Sequence, residues 1–414
     1  MRSASAAALF FRALALPRAA RAALIARVRA GDPARGAELL ALLQAHDAAG
    51  SLLETAPPDL SLPAPGVRVA RYTLGRRVGE GGCGVVFAAR PRDGANAPPL
   101  VALKLIKPGF AAPEAVARFE TEGRALARLD HPGVPRLIDA GRTDAGDTYL
   151  AMELVHGRRV TAHCDARRLP VADRLELVAR FCAVLGHVHE RGVRHGDVKP
   201  ANILVPRSAG PHRGVTPVLI DFGLASLPPE SGRAPVAPAG EATAGTLPYL
   251  SPEQLSGAAA AVDHRSDLYA AGVVLHQLLT GHTPFHGGDL DDLRRWFATT
   301  IVVAPSRLVA ALPPREQRRL ARKRGTSPTG LTRTLRGAVD TLVRRALARD
   351  PARRFQSAAE FAAAIRQLLR TAPRPRPAAA ALASPVPPGP RSATRATSPA
   401  RNAPPRRETP AAAA

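Results

Sequence analysis

The chain has 414 residues, 45% of them hydrophobic and only 4% aromatic, with a formal net charge of +24. That length can hold more than one folded unit, and that composition can bury a real core. The charge invites a nucleic-acid or anionic-surface reading, but lysine occurs only as Lys104, Lys107, Lys199 and Lys323. So thorough a replacement of Lys by Arg, beside abundant Ala and Pro, reads as base composition rather than a designed patch, and no clear nucleic-acid site follows. Cys83, Cys164 and Cys182 show neither metal-ligand nor redox spacing, so no disulfide framework is expected and a reducing cytoplasm fits. No signal peptide is evident, and no stretch reaches the roughly 18 uninterrupted apolar residues of a membrane span. The longest candidate, Leu268 to Leu279, contains His276 and Gln277 and reads as a buried helix.

Residues 1–56 form an Ala- and Leu-rich leader. Asp32-Pro33 reads as an N-cap followed by Pro at the first helical position, and Leu39, Leu42 and Leu43 recur at helical spacing. A docked structural appendage is the plain reading of these helices, and a partner-binding or regulatory module the sharper one. Pro57, Pro58, Pro63 and Pro65 mark a linker over 57–70. At Tyr72 the texture changes to strand, turn, strand. Gly79-Glu80-Gly81-Gly82-Cys83-Gly84-Val85-Val86 fits G-x-G-x-x-G-x-V. Dinucleotide-binding folds share the glycines, but there a helix follows. Here Val85, Val86 and Phe87 continue as a strand, so the glycines form a hairpin tip that can lie over phosphates without a side chain in the way. Cys83 at that tip is either a tolerated small residue or a redox-sensitive thiol.

Val101-Ala102-Leu103-Lys104 reads as a strand and Arg118 to Leu126 as a helix carrying both Glu120 and Glu122. Tyr149 to Val155 is a further strand. Apolar residues recur at helical spacing from Val171 to Arg191, leading to His195-Gly196-Asp197-Val198-Lys199-Pro200-Ala201-Asn202-Ile203-Leu204. A Pro/Gly-rich stretch over 206–217 reads as a lengthened hairpin tip. Val218-Leu219-Ile220-Asp221-Phe222-Gly223 follows as a buried strand ending in D-F-G, and Gly245 to Glu253 contains Ser251-Pro252-Glu253. Residues 313–337 hold a dense run of arginines, for which three readings stand: a solvated, partly flexible insertion, a docking patch for an acidic substrate, or a nucleic-acid contact. Residues 371–414 are Pro, Ala, Arg, Ser and Thr with almost no large apolar residue, and read as disordered.

Taken in order, these motifs resemble a bacterial-type, eukaryotic-like serine/threonine protein kinase over about Tyr72 to Leu369. The loop at His195 is similar to H-R-D-x-x-x-x-N, with Gly196 where that family has arginine. The resemblance implies an α+β, two-lobed kinase fold over 71–370, with a small β-rich N-lobe, a larger helical C-lobe, a helical leader and a disordered tail. It implies transfer of the γ-phosphoryl of ATP, with Mg2+ (or Mn2+ in its place), to protein Ser or Thr hydroxyls. Catalytically, Asp197 would accept the hydroxyl proton, Lys199 would offset charge on the phosphate, and Lys104 would clamp the α/β-phosphates, held by Glu122; Glu120 is the alternative partner. Nucleotide contacts would come from Val78, Gly79, Gly81, Gly82, Gly84, Val86, Ala102, Met152, Glu153, Val155 and Leu204, and metal contacts from Asn202 and Asp221. Met152 also reads as ordinary core packing, and His195 as a packed structural residue. Asp267 would brace the catalytic loop from below, and Arg354 in Asp350-Pro351-Ala352-Arg353-Arg354 would pair with Glu253. Thr243 would be the segment's autophosphorylation site, with no arginine at position 196 to receive its phosphate; Arg233 or Arg265 could substitute. A catalytically inactive scaffold and a small-molecule kinase are the alternatives. Oligomeric state, substrates and activating signal are not readable.

Overall fold

A computed structural model describes residues 18–34, 36–37, 39–40, 63–80, 84–92, 100–107, 113–143, 146–207, 214–227, 245–255, 262–285, 287 and 289–371. Gly81, Gly82, Cys83, Arg233, Thr243 and the 372–414 stretch lie outside these residues, as do most of the leader and part of the linker.

Helix α1 (Arg18–Gly31) is followed after Asp32 by helical residues 33–34, 36–37 and 39–40. The two pieces approach closely, since a Cβ on Gly36 would stand 2.6 Å from the Arg29 Cα. Leu24 and Leu39 are buried.

Six strands make one antiparallel sheet: β1 (Arg68–Val69), β2 (Tyr72–Glu80), β3 (Gly84–Pro91), β4 (Val101–Ile106), β5 (Leu137–Arg142) and β6 (Thr148–Glu153). Their order is β1-β2-β3-β4-β6-β5. The period of two in the sequence decides what each face buries. Val101, Leu103 and Leu105 of β4, with Tyr149 and Ala151 of β6, join Tyr72, Leu74, Val85 and Phe87 in one apolar cluster. The intervening Ala102, Ile106, Leu150 and Met152 belong to the main core with Phe119, Ala125 and Leu126 of helix α2 (Pro113–Ala127). Lys104 stands on this second face, opposite Leu150 and Val86 in register, so a charged side chain is carried toward α2.

A short β7 (Gly157–Arg159) opens the second part, with α3 (Val160–Ala166), α4 (Val171–Glu190), β8 (Ile203–Pro206), β9 (Val218–Leu219) and α5 (Pro252–Leu255). Then come α6 (Arg265–Thr280), α7 (Leu290–Thr299), α8 (Pro305–Ala311), α9 (Pro314–Lys323), α10 (Pro328–Leu335), α11 (Ala338–Ala346) and α12 (Ala358–Thr371). α6 is apolar nearly all round and is accordingly buried nearly throughout, as the Leu268–Leu279 pattern demands. It ends on Gly281 in the left-handed region (φ +80°), whose N–H donates to Gln277 O at 2.8 Å. β8 pairs with β9, Ile203 opposite Leu219, which sets Asn202 and Ile220 side by side. Among the described residues no helix is long and apolar enough to cross a membrane.

The arginine-rich 313–337 segment is largely helical. It folds into α9 and α10, which bury Leu320, Ala321, Leu331 and Leu335. Ser327 caps α10 by accepting the Gly330 N–H at 3.1 Å. Arg324, 2% exposed, turns inward and donates to Leu278 O and Leu279 O at 2.8 and 3.0 Å. Arg174, fully buried, donates to Leu278 O, Lys323 O and three further acceptors including Asp165. The Leu278 and Leu279 carbonyls belong to the C-terminal end of α6, where a cation is favoured. Burial, and then Arg174, pushes Arg324 down to about 10.

Candidate active site

The strand that carries Lys104 and the helix that carries Glu122 meet edge to face. Lys104 Nζ donates to Glu122 Oε1 and Oε2 at 2.8 and 2.7 Å. The register decides which glutamate serves. Glu122 is 2% exposed, whereas Glu120, on the outer side of α2, accepts from Arg142 at 3.3 Å. Lys104 Nζ also donates to Asp221 Oδ1 at 2.7 Å. Burial alone would pull the ammonium down, but the Glu122 and Asp221 carboxylates outweigh it and hold Lys104 above its ordinary value. Asp221 is likewise held below the ordinary carboxylate range: burial raises it, and Lys104 more than reverses that. Its backbone is in the left-handed region (φ +66°), a cost sustained only where surroundings enforce it.

Across the site, Asp197 (8% exposed) collects polar partners. Its Oδ2 lies 2.8 Å from Lys199 Nζ and accepts from Asn202 Nδ2 at 3.1 Å. Asn202 Nδ2 also donates to Asp197 O at 2.9 Å, and Lys199 Nζ to Thr246 Oγ1 at 2.7 Å. The loop holding these groups is fastened from below, as the sequence suggests for Asp267. Its Oδ2 accepts the His195 N–H and its Oδ1 the Gly196 N–H, each at 2.9 Å. Burial would raise the Asp267 carboxyl, but the bond from His189 and the backbone donors hold it low. His189 is a positioning residue that sequence reasoning misses; His187 and His189 stand together in the chain, and nothing local distinguishes them. His195 packs edge-on against Phe222 and joins Ile220 O at 3.2 Å, while its Nδ1 accepts the Asp197 N–H. That is the structural role its neighbours imply.

Gly196 has φ +76°, and a Cβ there would meet Leu224 O at 2.6 Å. The missing arginine therefore coincides with a backbone that an L side chain enters only under strain. Arg265, one candidate substitute for it, is committed to Asp263 at 2.7 Å and to Gln356. Arg233, the other, lies outside the described residues.

The remaining residues that the resemblance implies for the nucleotide fall where the strands place them. Gly79 pairs with Val86 across the β2–β3 hairpin, whose tip residues Gly81 and Gly82 are not described. A Cβ on Gly84 would stand 3.1 Å from Leu105 O and 3.3 Å from the Lys104 side chain. Val78 is exposed, Ala102 and Met152 face each other in register, and Leu204 sits on β8. The Glu153 N–H is spent on Arg136 O at 2.9 Å, so a base contact from Glu153 would run through its carbonyl. Val155 follows in the connection to β7.

Asn202 and Asp221 offer hard oxygen donors, few in number. The amide nitrogen of Asn202 is already engaged, which leaves its carbonyl oxygen to accept, and Lys104 contacts Asp221 through Oδ1. Such a sparse set fits Mg2+, which keeps waters and phosphate oxygens rather than filling its shell with protein. At the base of the site Glu253 and Arg354 form a two-pronged buried pair, both contacts 2.7 Å, with Ser266 Oγ also donating to Glu253.

A sequence profile of the protein kinase domain matches residues 72–384. The serine/threonine-protein kinase pkn3 of Myxococcus xanthus is 33% identical over 327 residues, covering 77% of this chain and 54% of its own length. The serine/threonine-protein kinase PknB of Mycolicibacterium smegmatis is 33% identical over 305 residues (71% and 42%). The serine/threonine-protein kinase PknJ of Mycobacterium tuberculosis is 33% identical over 294 residues (71% and 44%). The chain thus spans about half the length of the curated relatives it matches.

Proposed function

Because the chain belongs to the protein kinase family, whose members use ATP and a divalent metal, we propose that it transfers the γ-phosphoryl of Mg-ATP to serine or threonine hydroxyls of proteins. The observation that carries this reading is the closed ion network of Lys104 with Glu122 and Asp221, formed at the same time as the Asp197, Lys199, Thr246 and Asn202 cluster. An inactive scaffold has no need to hold two charged clusters in register.

In this reading Asp197 accepts the proton of the acceptor hydroxyl and aims its oxygen at the γ-phosphorus. Lys199, shared between Asp197 and Thr246, offsets charge that develops on the transferred group. Lys104 orients the α- and β-phosphates, and Glu122 keeps its ammonium from swinging away. Asn202 and Asp221 would hold the metal, which when bound would neutralise phosphate charge. Gly79 and Gly84 of the β2–β3 hairpin lie over the phosphates, while Val78, Val86, Ala102, Met152 and Leu204 enclose the base. Thr246 beside Lys199 supports a serine/threonine acceptor, since both groups frame the place where an aliphatic hydroxyl would sit. The 1–56, 57–70, 71–370 and 371–414 division and a cytoplasmic location belong to the same proposal. Cys164 and Cys182, buried and unbridged, support a reducing compartment.

The test is phosphoamino-acid analysis of a protein mixture incubated with the purified chain and γ-labelled ATP. Label on Ser and Thr is expected. Label recovered only on a small amino alcohol or aminoglycoside, or no label at all, would sink the reading.

A further inference from the structure

Helix α9 carries Arg315, Arg318, Arg319 and Arg322 on one side. At 100° per residue the four fall within an arc of about 100°, opposite the buried Leu320, Ala321 and Arg324. All four are exposed. On α7 and α4 arginines have carboxylates of their own helix as partners: Arg294 with Asp291, Arg295 with Asp292 and Arg180 with Glu176. On α9 the one acid is Glu316, at the margin of the stripe. It serves His282 at 3.1 Å and reaches Arg319 only at 3.7 Å. Arg315, Arg318 and Arg322 have no partner among the described residues.

This arrangement costs stability locally. Arg315 and Arg318 lie in the N-terminal half of α9, where the helix dipole disfavours cations, and arginines of the stripe at i, i+3 and i, i+4 repel. Base composition accounts for arginine in place of lysine but not for the absence of acids beside it. The helix is also held rigidly. Lys323 bonds Asp165 at 2.8 Å, and Arg324 is locked into the α6 carbonyls, so the stripe is presented without further ordering. Arg168, also exposed, has its carbonyl 3.2 Å from the Gly325 Cβ position, just past the α9 C-terminal end.

We propose that this face of α9 docks an acidic, Asp/Glu-rich segment of a protein substrate, away from the residue being phosphorylated. The proposal rests on the protein-kinase reading above. Charges spaced about 5–6 Å along a helix face act together within one Debye length of about 8 Å, which suits an extended run of carboxylates. The chain's own tail does not qualify, because it is rich in arginine with Glu408 its only acid. The stripe has no aromatic side chain on which a base could stack and no large apolar residue to enter a lipid surface, so nucleic acid and membrane fit it less well.

The test uses the full chain and a fluorescein-labelled poly-Glu peptide followed by anisotropy. The triple variant Arg315→Gln, Arg318→Gln, Arg322→Gln should weaken binding ~10-fold, by loss of several modest charge contacts. The same three positions changed to Lys should bind like wild type. So should Arg344→Gln, Arg366→Gln, Arg370→Gln, which removes as much charge elsewhere. Equal weakening in that control would reduce the effect to net charge and overturn the proposal. A larger loss for duplex DNA or phosphatidylserine vesicles than for the peptide would overturn it in favour of another ligand class. In kinetics, adding a poly-Glu extension to a Thr-containing acceptor should lower KM at unchanged kcat in wild type but not in the Gln triple. If neither acceptor is phosphorylated, the phosphoryl-transfer reading fails, while anisotropy still decides the surface.

Discussion

Replacing Gly196 by Ala tests whether the catalytic loop is built around a backbone that only glycine adopts freely. Two terms oppose each other. Alanine restricts the unfolded chain, which at a compatible site stabilises by about 0.4–1 kcal/mol. Here the site is not compatible. A left-handed residue with a Cβ costs about 1–2 kcal/mol, and this Cβ would lie 2.6 Å from the Leu224 carbonyl oxygen, so backbone must move. The loop cannot relax by rotating the peptide, because Asp267 holds the His195 and Gly196 N–H groups at 2.9 Å each. A net loss of about 1–3 kcal/mol is expected, together with a fall in kcat, since Asp197 is the next residue. Urea midpoints of wild type and variant, with initial rates measured in parallel, make the comparison. A variant as stable as wild type and fully active would show that the loop tolerates a side chain, and that the absence of arginine is not tied to this conformation.

Lys104→Arg should lower turnover ~100-fold or more, about 2.7 kcal/mol, at nearly unchanged stability, because a planar fork cannot replace a compact ammonium shared by two carboxylates; near-normal rates would remove this lysine from the mechanism. Arg354→Met should destabilise by about 3–5 kcal/mol, because it strands the buried Glu253 carboxylate. Burial pushes Glu253 up, but the bonds from Arg354 and Ser266 bring it below its ordinary value. The stability it contributes is therefore full above the unfolded value of about 4.3 and is lost as pH falls through the lower folded value. Glu253→Gln should flatten the urea midpoint in that acid range, and an unchanged pH profile would contradict the assignment. If control does not rest on segment phosphorylation, Thr243→Ala and phosphatase-treated enzyme should keep initial rates within about tenfold of wild type.

Much of this architecture is legible in the sequence because its signals are local. The alternation of Val101, Leu103 and Leu105 with Ala102 and Lys104 assigns the two sheet faces, and the unbroken apolar run of α6 requires burial. The choice between Glu120 and Glu122 depends on the rotation of α2 against the sheet, which no local pattern fixes; resemblance selected Glu122, and the geometry brings Glu122 to Lys104. The helices of the 313–337 segment are hidden in the sequence because composition outweighs their caps. Pro314 and Ser327-Pro328 are helix starts, yet the arginine density reads as solvated chain. Arg324 and Arg174 are opaque for a different reason: arginine is almost never fully buried unless paired, and their partners are carbonyls at the end of a helix distant in sequence. Gly196 shows the reverse case, where a departure from a motif is visible in the sequence but its backbone cause is not.

The division of labour between Asp197 and Asp221 is tested most directly by measuring Mg-ATP affinity and single-turnover phosphoryl transfer on Asp197→Asn and Asp221→Asn side by side. Asp197 touches Lys199 and Asn202, which the proposed function places toward the acceptor, whereas Asp221 touches Lys104, which it places toward the nucleotide. Asp197→Asn should bind nucleotide like wild type and transfer nothing measurable, while Asp221→Asn should lose both affinity and transfer. Equal affinity losses in the two variants, or transfer surviving in Asp197→Asn, would contradict the account.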